Sequence, residues 1–232
     1  FRKVEPFRLQ FLGSLENPDR SQLYFMPLAG WNNYDKLMFG SAFYNSLVPA
    51  RNFDFVLMPM FSVSSNTLLG SGKVGYTFYP EGTVLQNIRL SAGGSRYSNG
   101  EKKDNITLIQ ANKIKSELAF KFKNSNARSK TANIISFTNY QIIFTRQQTG
   151  LSLKQVMESD TLIVYTDKYY VNRVAWNHVN MRIINPYSFT MSFEQGDYFL
   201  KGSFSGKYRL SYNWGQGLDI RLFSGRFLYN EM

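Results

Sequence analysis

The residues able to do chemistry are few and badly placed for it. The chain has one histidine and no cysteine among 232 residues. His178 lies in Val174-Ala175-Trp176-Asn177-His178-Val179. A metal-hydrolase site of the His-Glu-x-x-His kind needs two histidines one helical turn apart and a glutamate to activate water. No such run is present, so no metal ligand set is expected. Without cysteine there is no thiol nucleophile, disulfide or thiolate zinc site. The serines have no histidine in triad order. Gly70-Ser71-Gly72 and Gly93-Gly94-Ser95 look like phosphate loops, but neither fits the Walker pattern or opens a helix, and bulges or close strand packing explain them better. Glu117 stands among Lys115, Lys121 and Lys123, which suggests a ladder of ion pairs rather than acid–base work. The expectation is no catalytic residue, no metal and no cofactor.

Charge is the next signal. Lysine and arginine number 27 against 16 acidic residues, a formal charge of +11. No nucleic-acid motif accompanies it, so nucleic acid is not an expected partner. A basic lumen or a surface touching anionic lipid accounts for it, and rows of cations facing water inside a barrel can set anion preference.

The elements holding these residues read as strands. Apolar and polar residues alternate with period two. Leu37, Phe39 and Phe43 oppose Gly40 and Ala42. Val74, Tyr76 and Phe78 alternate with Lys73, Gly75 and Thr77. Ile114, Leu118, Phe120 and Phe122 lie opposite Lys113, Lys115, Glu117, Lys121 and Lys123. Phe189, Met191 and Phe193 face away from Thr190, Ser192 and Glu194. Leu200, Phe204, Tyr208, Leu210 and Tyr212 alternate with Lys201, Ser203, Lys207, Arg209 and Ser211. Turn chemistry separates the runs at 16–19, 32–35, 48–52, 80–82 and 215–217. Longer polar loops are expected at 98–105, 124–130 and 147–160, with a short helix over 151–158. About a dozen strands result, many near the 9–11 residues that a tilted membrane strand needs. Pro27 and Pro59 resist the pattern and are expected at strand ends or at bulges near a rim.

Two architectures accept such strands. A soluble sandwich buries the apolar faces against each other; a membrane barrel turns them to lipid and lines its lumen with the polar faces. Strand length, the aromatic share of 16% and the mixing of glycine with Lys, Thr and Ser on the polar side favour an antiparallel transmembrane β-barrel forming one domain over 1–232. In that reading Lys73, Lys113, Lys115, Glu117, Lys121, Lys123, Lys201, Lys207 and Arg209 face the lumen. Ile114, Leu118, Phe120, Phe122, Phe204, Tyr208, Leu210 and Tyr212 face lipid. Trp31, Tyr34, Tyr79, Trp176 and Trp214 are expected near strand ends as interface anchors. The chain starts at Phe1 and ends on Glu231-Met232 without a terminal aromatic, so it is expected to be part of a longer barrel.

Four phrases carry a resemblance: Glu16-Asn17-Pro18-Asp19, the run Met26 to Asp35, the run Phe53 to Ser62, and the run Gly217 to Phe227. Together they resemble the C-terminal barrel region of large gluzincin-type (M1-like) metallopeptidases of Bacteroidota. The resemblance covers nearly the whole chain. It implies location in the bacterial outer membrane, contact with the lipid bilayer and lipopolysaccharide, partner subunits in an outer-membrane complex, and a zinc peptidase elsewhere in the parent protein. No catalytic residue of that family maps onto this chain. The expected function is a non-catalytic barrel that anchors or positions a larger protein. The alternatives are a channel or transport barrel passing anions or polypeptide, and a soluble β-sandwich binding module.

Overall fold

The computed structural model describes residues 7–11, 21–45, 52–98, 106–124, 126, 128–150, 161–212 and 216–231. Within them the chain forms strands and no helix. The strands are β1 (Phe7–Phe11), β2 (Ser21–Asn32), β3 (Lys36–Tyr44), β4 (Phe53–Ser62), β5 (Thr67–Phe78), β6 (Leu85–Ser98), β7 (Ile106–Phe122), β8 (Thr131–Gly150), β9 (Thr161–Asn180), β10 (Tyr187–Gly196), β11 (Phe199–Ser211) and β12 (Gly217–Asn230). They make one sheet in sequence order. β2 to β12 follow one another as antiparallel neighbours. β1 departs from the antiparallel expectation and pairs parallel to β2, from Phe7↔Ser21 to Phe11↔Phe25. Among the described residues no pairing joins β12 to the first strands, so the sheet order is linear.

Contacts divide the chain into two compact units. One holds residues 1–75, 92–114 and 141–168; the other holds 76–91, 115–140 and 169–232. Strands β5 to β9 contribute to both.

In the first unit, β2, β3 and β4 pair in register through Phe25↔Phe43, Ala29↔Phe39 and Phe39↔Phe61. Side chains alternate across a strand, so one face carries Leu37, Phe39, Leu57 and Phe61, all exposed. The opposite face carries Tyr24, Ala42 and Tyr44, which are buried with Leu28, Val56 and Met58 packed on them. Tyr24 and Tyr44 stack at 5.4 Å between ring centroids. These three strands are thus apolar on both faces. That differs from a uniformly polar inner face, because small residues such as Ala42 leave room for tyrosine and methionine neighbours.

Pro59 lies inside β4, three residues before its end, and not at a strand end as expected. The β3–β4 register holds from Met38↔Ser62 to Gly40↔Met60 and resumes unchanged at Phe43↔Leu57. No bulge is inserted; the ladder merely skips the positions around Pro59, which has no N–H to give. Glycines crowd this spot from both sides. A Cβ on Gly40 would lie 2.1 Å from the Pro59 carbonyl oxygen, and one on Gly70 would lie 2.1 Å from that of Met58. Pro27 is also internal, in β2, opposite Ser41. It falls beyond the stretch of β2 that β1 covers, where a missing donor costs least.

In the second unit, β9 to β12 pair in continuous register with one irregularity, between Leu200 and Lys201. Asn185 has a positive φ of 53°. Its amide N–H donates to Ser211 Oγ, and its side-chain oxygen accepts from the Ser211 N–H. The β9–β10 connection is thereby tied to the end of β11.

Several sequence expectations fall elsewhere. β7, β8 and β9 run for 17, 20 and 20 residues, longer than the strands expected. Residues 147–150, read as loop, belong to β8. The turn at 16–19, the short helix over 151–158 and Trp214 lie outside the described residues.

Candidate functional site: two sheet faces and a buried turn carboxylate

The second unit shows most clearly what the alternation does. Register places Trp176, Met191, Phe204 and Ser224 in one row across β9–β12, and His178, Phe189, Gly206 and Leu222 in the next row on the same face. Trp176 meets Phe189 edge-on at 5.1 Å, and His178 stacks on Phe189 at 4.9 Å. A Cβ on Gly202 would meet the Phe193 ring at 3.5 Å, and one on Gly206 the Phe204 ring at 3.4 Å.

One residue along, every row changes character. Ala175, Ser192, Ser203 and Gly225 form one row; Arg173, Glu194, Lys201 and Phe227 form another. Ser192 Oγ lies 2.8 Å from Ser203 Oγ, and Thr190 Oγ1 donates to Asn177 Oδ1 at 2.7 Å. Glu194 sits between two cations, 3.4 Å from Arg173 Nε and 3.8 Å from Lys201 Nζ. The polar side is the more covered: Ser192 is 3% exposed, its neighbour Met191 41%. A water-soluble sheet with one apolar face has the reverse exposure.

The residues singled out in the sequence distribute as follows. Lys201, Lys207 and Arg209 share the serine-rich face of β11, and Phe204, Tyr208 and Leu210 share the other. Tyr212 stands just past β11 and is exposed. On β7, Lys113, Lys115, Glu117 and Lys121 alternate with Ile114, Leu118, Phe120 and Phe122. Ile114 is exposed and the three others are half-buried, with Phe120 edge-on to Phe137. Lys115 Nζ lies 2.6 Å from Glu117 Oε2 and 5.8 Å from the centre of the Tyr140 ring. Lys123 follows β7, and its N–H donates to Val84 O. Lys73 is exposed on β5. Trp31, Tyr34 and Tyr79 are exposed at or beside strand ends. Trp176 is exposed four residues before the end of β9, opposite Met191.

His178 is accounted for locally. Its Nδ1 lies 2.7 Å from Asn133 Oδ1, and its ring stacks on Tyr187 and Phe189. Among the described residues no cluster of His, Asp or Glu could hold a metal ion.

The most constrained polar group was read in the sequence only as part of a turn. Asp35 closes the β2–β3 turn and has no exposed surface. Its carboxylate accepts four hydrogen bonds: from Asn32 Nδ2 at 3.0 Å, Ser65 Oγ at 2.8 Å, Ser98 Oγ at 2.6 Å and the Ser98 N–H at 3.3 Å. Its carbonyl accepts from Ser62 Oγ at 2.6 Å. Asn32 Oδ1 accepts in turn from the N–H groups of Tyr34 and Asp35. Lys36, next in the chain, takes the left-handed conformation at φ 55°. Burial disfavours the charged carboxylate, but the bonds from Asn32, Ser98 and Ser65 outweigh it and hold Asp35 below its ordinary pKa. The group ties the β2–β3 turn, the β4–β5 turn and the end of β6 together. With four donors on its carboxylate, it acts as a clamp between these elements.

Comparison with known proteins adds no relative: no family model matches the chain, and no curated protein or solved structure matches it.

Proposed function

We propose that this chain is a transmembrane β-barrel segment of a bacterial outer membrane, which anchors or positions a larger protein and does no chemistry itself. The observation that carries the reading is the inverted exposure of the sheet. In β10, Met191 (41%) and Phe193 (55%) are open, while Ser192 between them on the other face is covered (3%). Lipid is the solvent that suits such a surface. A soluble sandwich would need a second layer over these side chains. The reading also requires both sheet edges to be paired in the bilayer, because unpaired backbone groups cost several kcal/mol each in hydrocarbon. The resemblance set out above adds that the anchored partner is a zinc peptidase of the parent protein, for which the upstream reading frame is the test.

Refolding the chain into lipid vesicles tests the membrane reading. An inserted barrel stays with floated vesicles after a carbonate wash and resists trypsin across its strands. Recovery of folded, monomeric protein in detergent-free buffer defeats the reading. A channel role is the second reading, favoured by Lys207 and Arg221, which share the polar face and among the described residues make no ion pair. Planar-bilayer current with anion selectivity would support it, and a silent insertion would defeat it.

A further inference from the structure

The polar face treats its cations in two different ways. Near one end of β9–β11, Arg173 and Lys201 flank Glu194 and are neutralised. Toward the other end, Lys207 and Arg221 are placed directly opposite each other across β11 and β12. Like charges at opposed positions destabilise a sheet. Arg209 is two residues further along, and Asp219 opposes it in register without forming an ion pair. Among the described residues none of these three cations makes an ion pair. They are among the residues lining a groove of about 450 Å³ that holds a single carboxylate, Asp219. Arg182, from the β9–β10 connection, lies 5.3 Å over the ring of Tyr187, which register puts with Tyr208 on the opposite face.

We propose that this groove binds a small multivalent oxyanion, of the bisphosphate type, between Lys207, Arg221 and Arg209. An arginine fork binds two phosphate oxygens at once, and lysine supplies a point charge beside it. The ligand removes the Lys207–Arg221 repulsion, which the protein leaves uncorrected in its absence. Register turns Lys207, Arg209 and Arg221 to the face away from Phe204 and Leu222. A soluble anion therefore suits the groove better than the phosphate of a lipid headgroup. The charge placement is the same whether or not the apolar face meets lipid.

The test is titration of the full chain in neutral detergent with inorganic pyrophosphate at low salt, followed by calorimetry and by thermal unfolding. Saturable binding is expected, weakened about tenfold in each of Lys207→Gln and Arg221→Gln, the loss typical of one charge-assisted hydrogen bond. Lys201→Gln should bind as the unaltered chain does. Without pyrophosphate, Lys207→Gln should melt higher than the unaltered chain, which reports the relieved repulsion. Absence of saturable binding overturns the proposal, as does binding by the two groove variants as tight as that of the unaltered chain. Stabilisation by phosphatidylglycerol micelles but not by pyrophosphate also overturns it, assigning the groove to lipid.

Discussion

Asp35 shows how one side chain can fix a three-way junction. Ser65 of the β4–β5 turn, Ser98 at the end of β6 and Asn32 at the end of β2 all point donors at it. Asp35→Asn keeps the shape but turns one acceptor into a donor facing donors. We expect a loss of about 1–3 kcal/mol, the usual cost of a buried polar group left unsatisfied, read as a lower unfolding midpoint in micelles. The pH dependence has a definite sign. Because the folded pKa lies below the ordinary value, the charged clamp contributes fully above the unfolded-state pKa, about 3.9. That contribution fades as pH falls from there through the folded value. Subtracting the Asp35→Asn profile from that of the unaltered chain should isolate this acid-side loss; parallel profiles would show that the carboxylate carries no such energy. The clamp was not legible in the sequence. Asn32 and Asp35 announce a turn, but Ser65 and Ser98 are ordinary until the topology brings them to it.

Strands were legible where their two faces differ. Ile114 to Phe122 against Lys113 to Lys121, and Phe189 to Phe193 against Thr190 to Glu194, alternate in the structure as in the sequence. Strand ends were not, because a polar stretch such as 147–150 pairs through its backbone regardless of side chain. Nor was the seat of Pro59, which depends on glycines in the two neighbouring strands. That seat is testable. Gly70 has φ 134° and Met58 O at 2.1 Å from any added Cβ. Gly70→Ala should cost at least about 3 kcal/mol through strain and overpacking. Gly94→Ala meets only Lys113 O at 3.6 Å and should change stability by less than about 1 kcal/mol. Denaturant titration of both variants checks the contrast, and equal effects would remove the case for close packing around β4.

For the molecule as a whole, the sheet's two faces decide where it can live. The sequence set membrane barrel against sandwich and could not separate them by alternation, because both use it. Exposure is what supports the barrel proposal: in β10, Met191 and Phe193 are open and Ser192 is covered. A charge on the open side should therefore be costly in a bilayer and cheap on the other. Phe204→Lys is expected to lose about 2–4 kcal/mol if it lies near the bilayer midplane, read as a fall in the folded fraction in vesicles. Ser205→Lys, one residue away on the half-buried polar face, should fold nearly as the unaltered chain does.

The most direct measurement uses the absence of native cysteine. Single cysteines placed in turn at Met191, Phe193, Phe204, Ser205 and Lys207 can each carry a nitroxide in vesicle-reconstituted protein. Relaxation by oxygen, which concentrates in lipid, should be strong at Met191, Phe193 and Phe204. Relaxation by a water-soluble nickel complex should be the stronger effect at Ser205 and Lys207. Labels at Met191, Phe193 and Phe204 that neither reagent reaches would mean that protein covers the aromatic face, and would contradict the account.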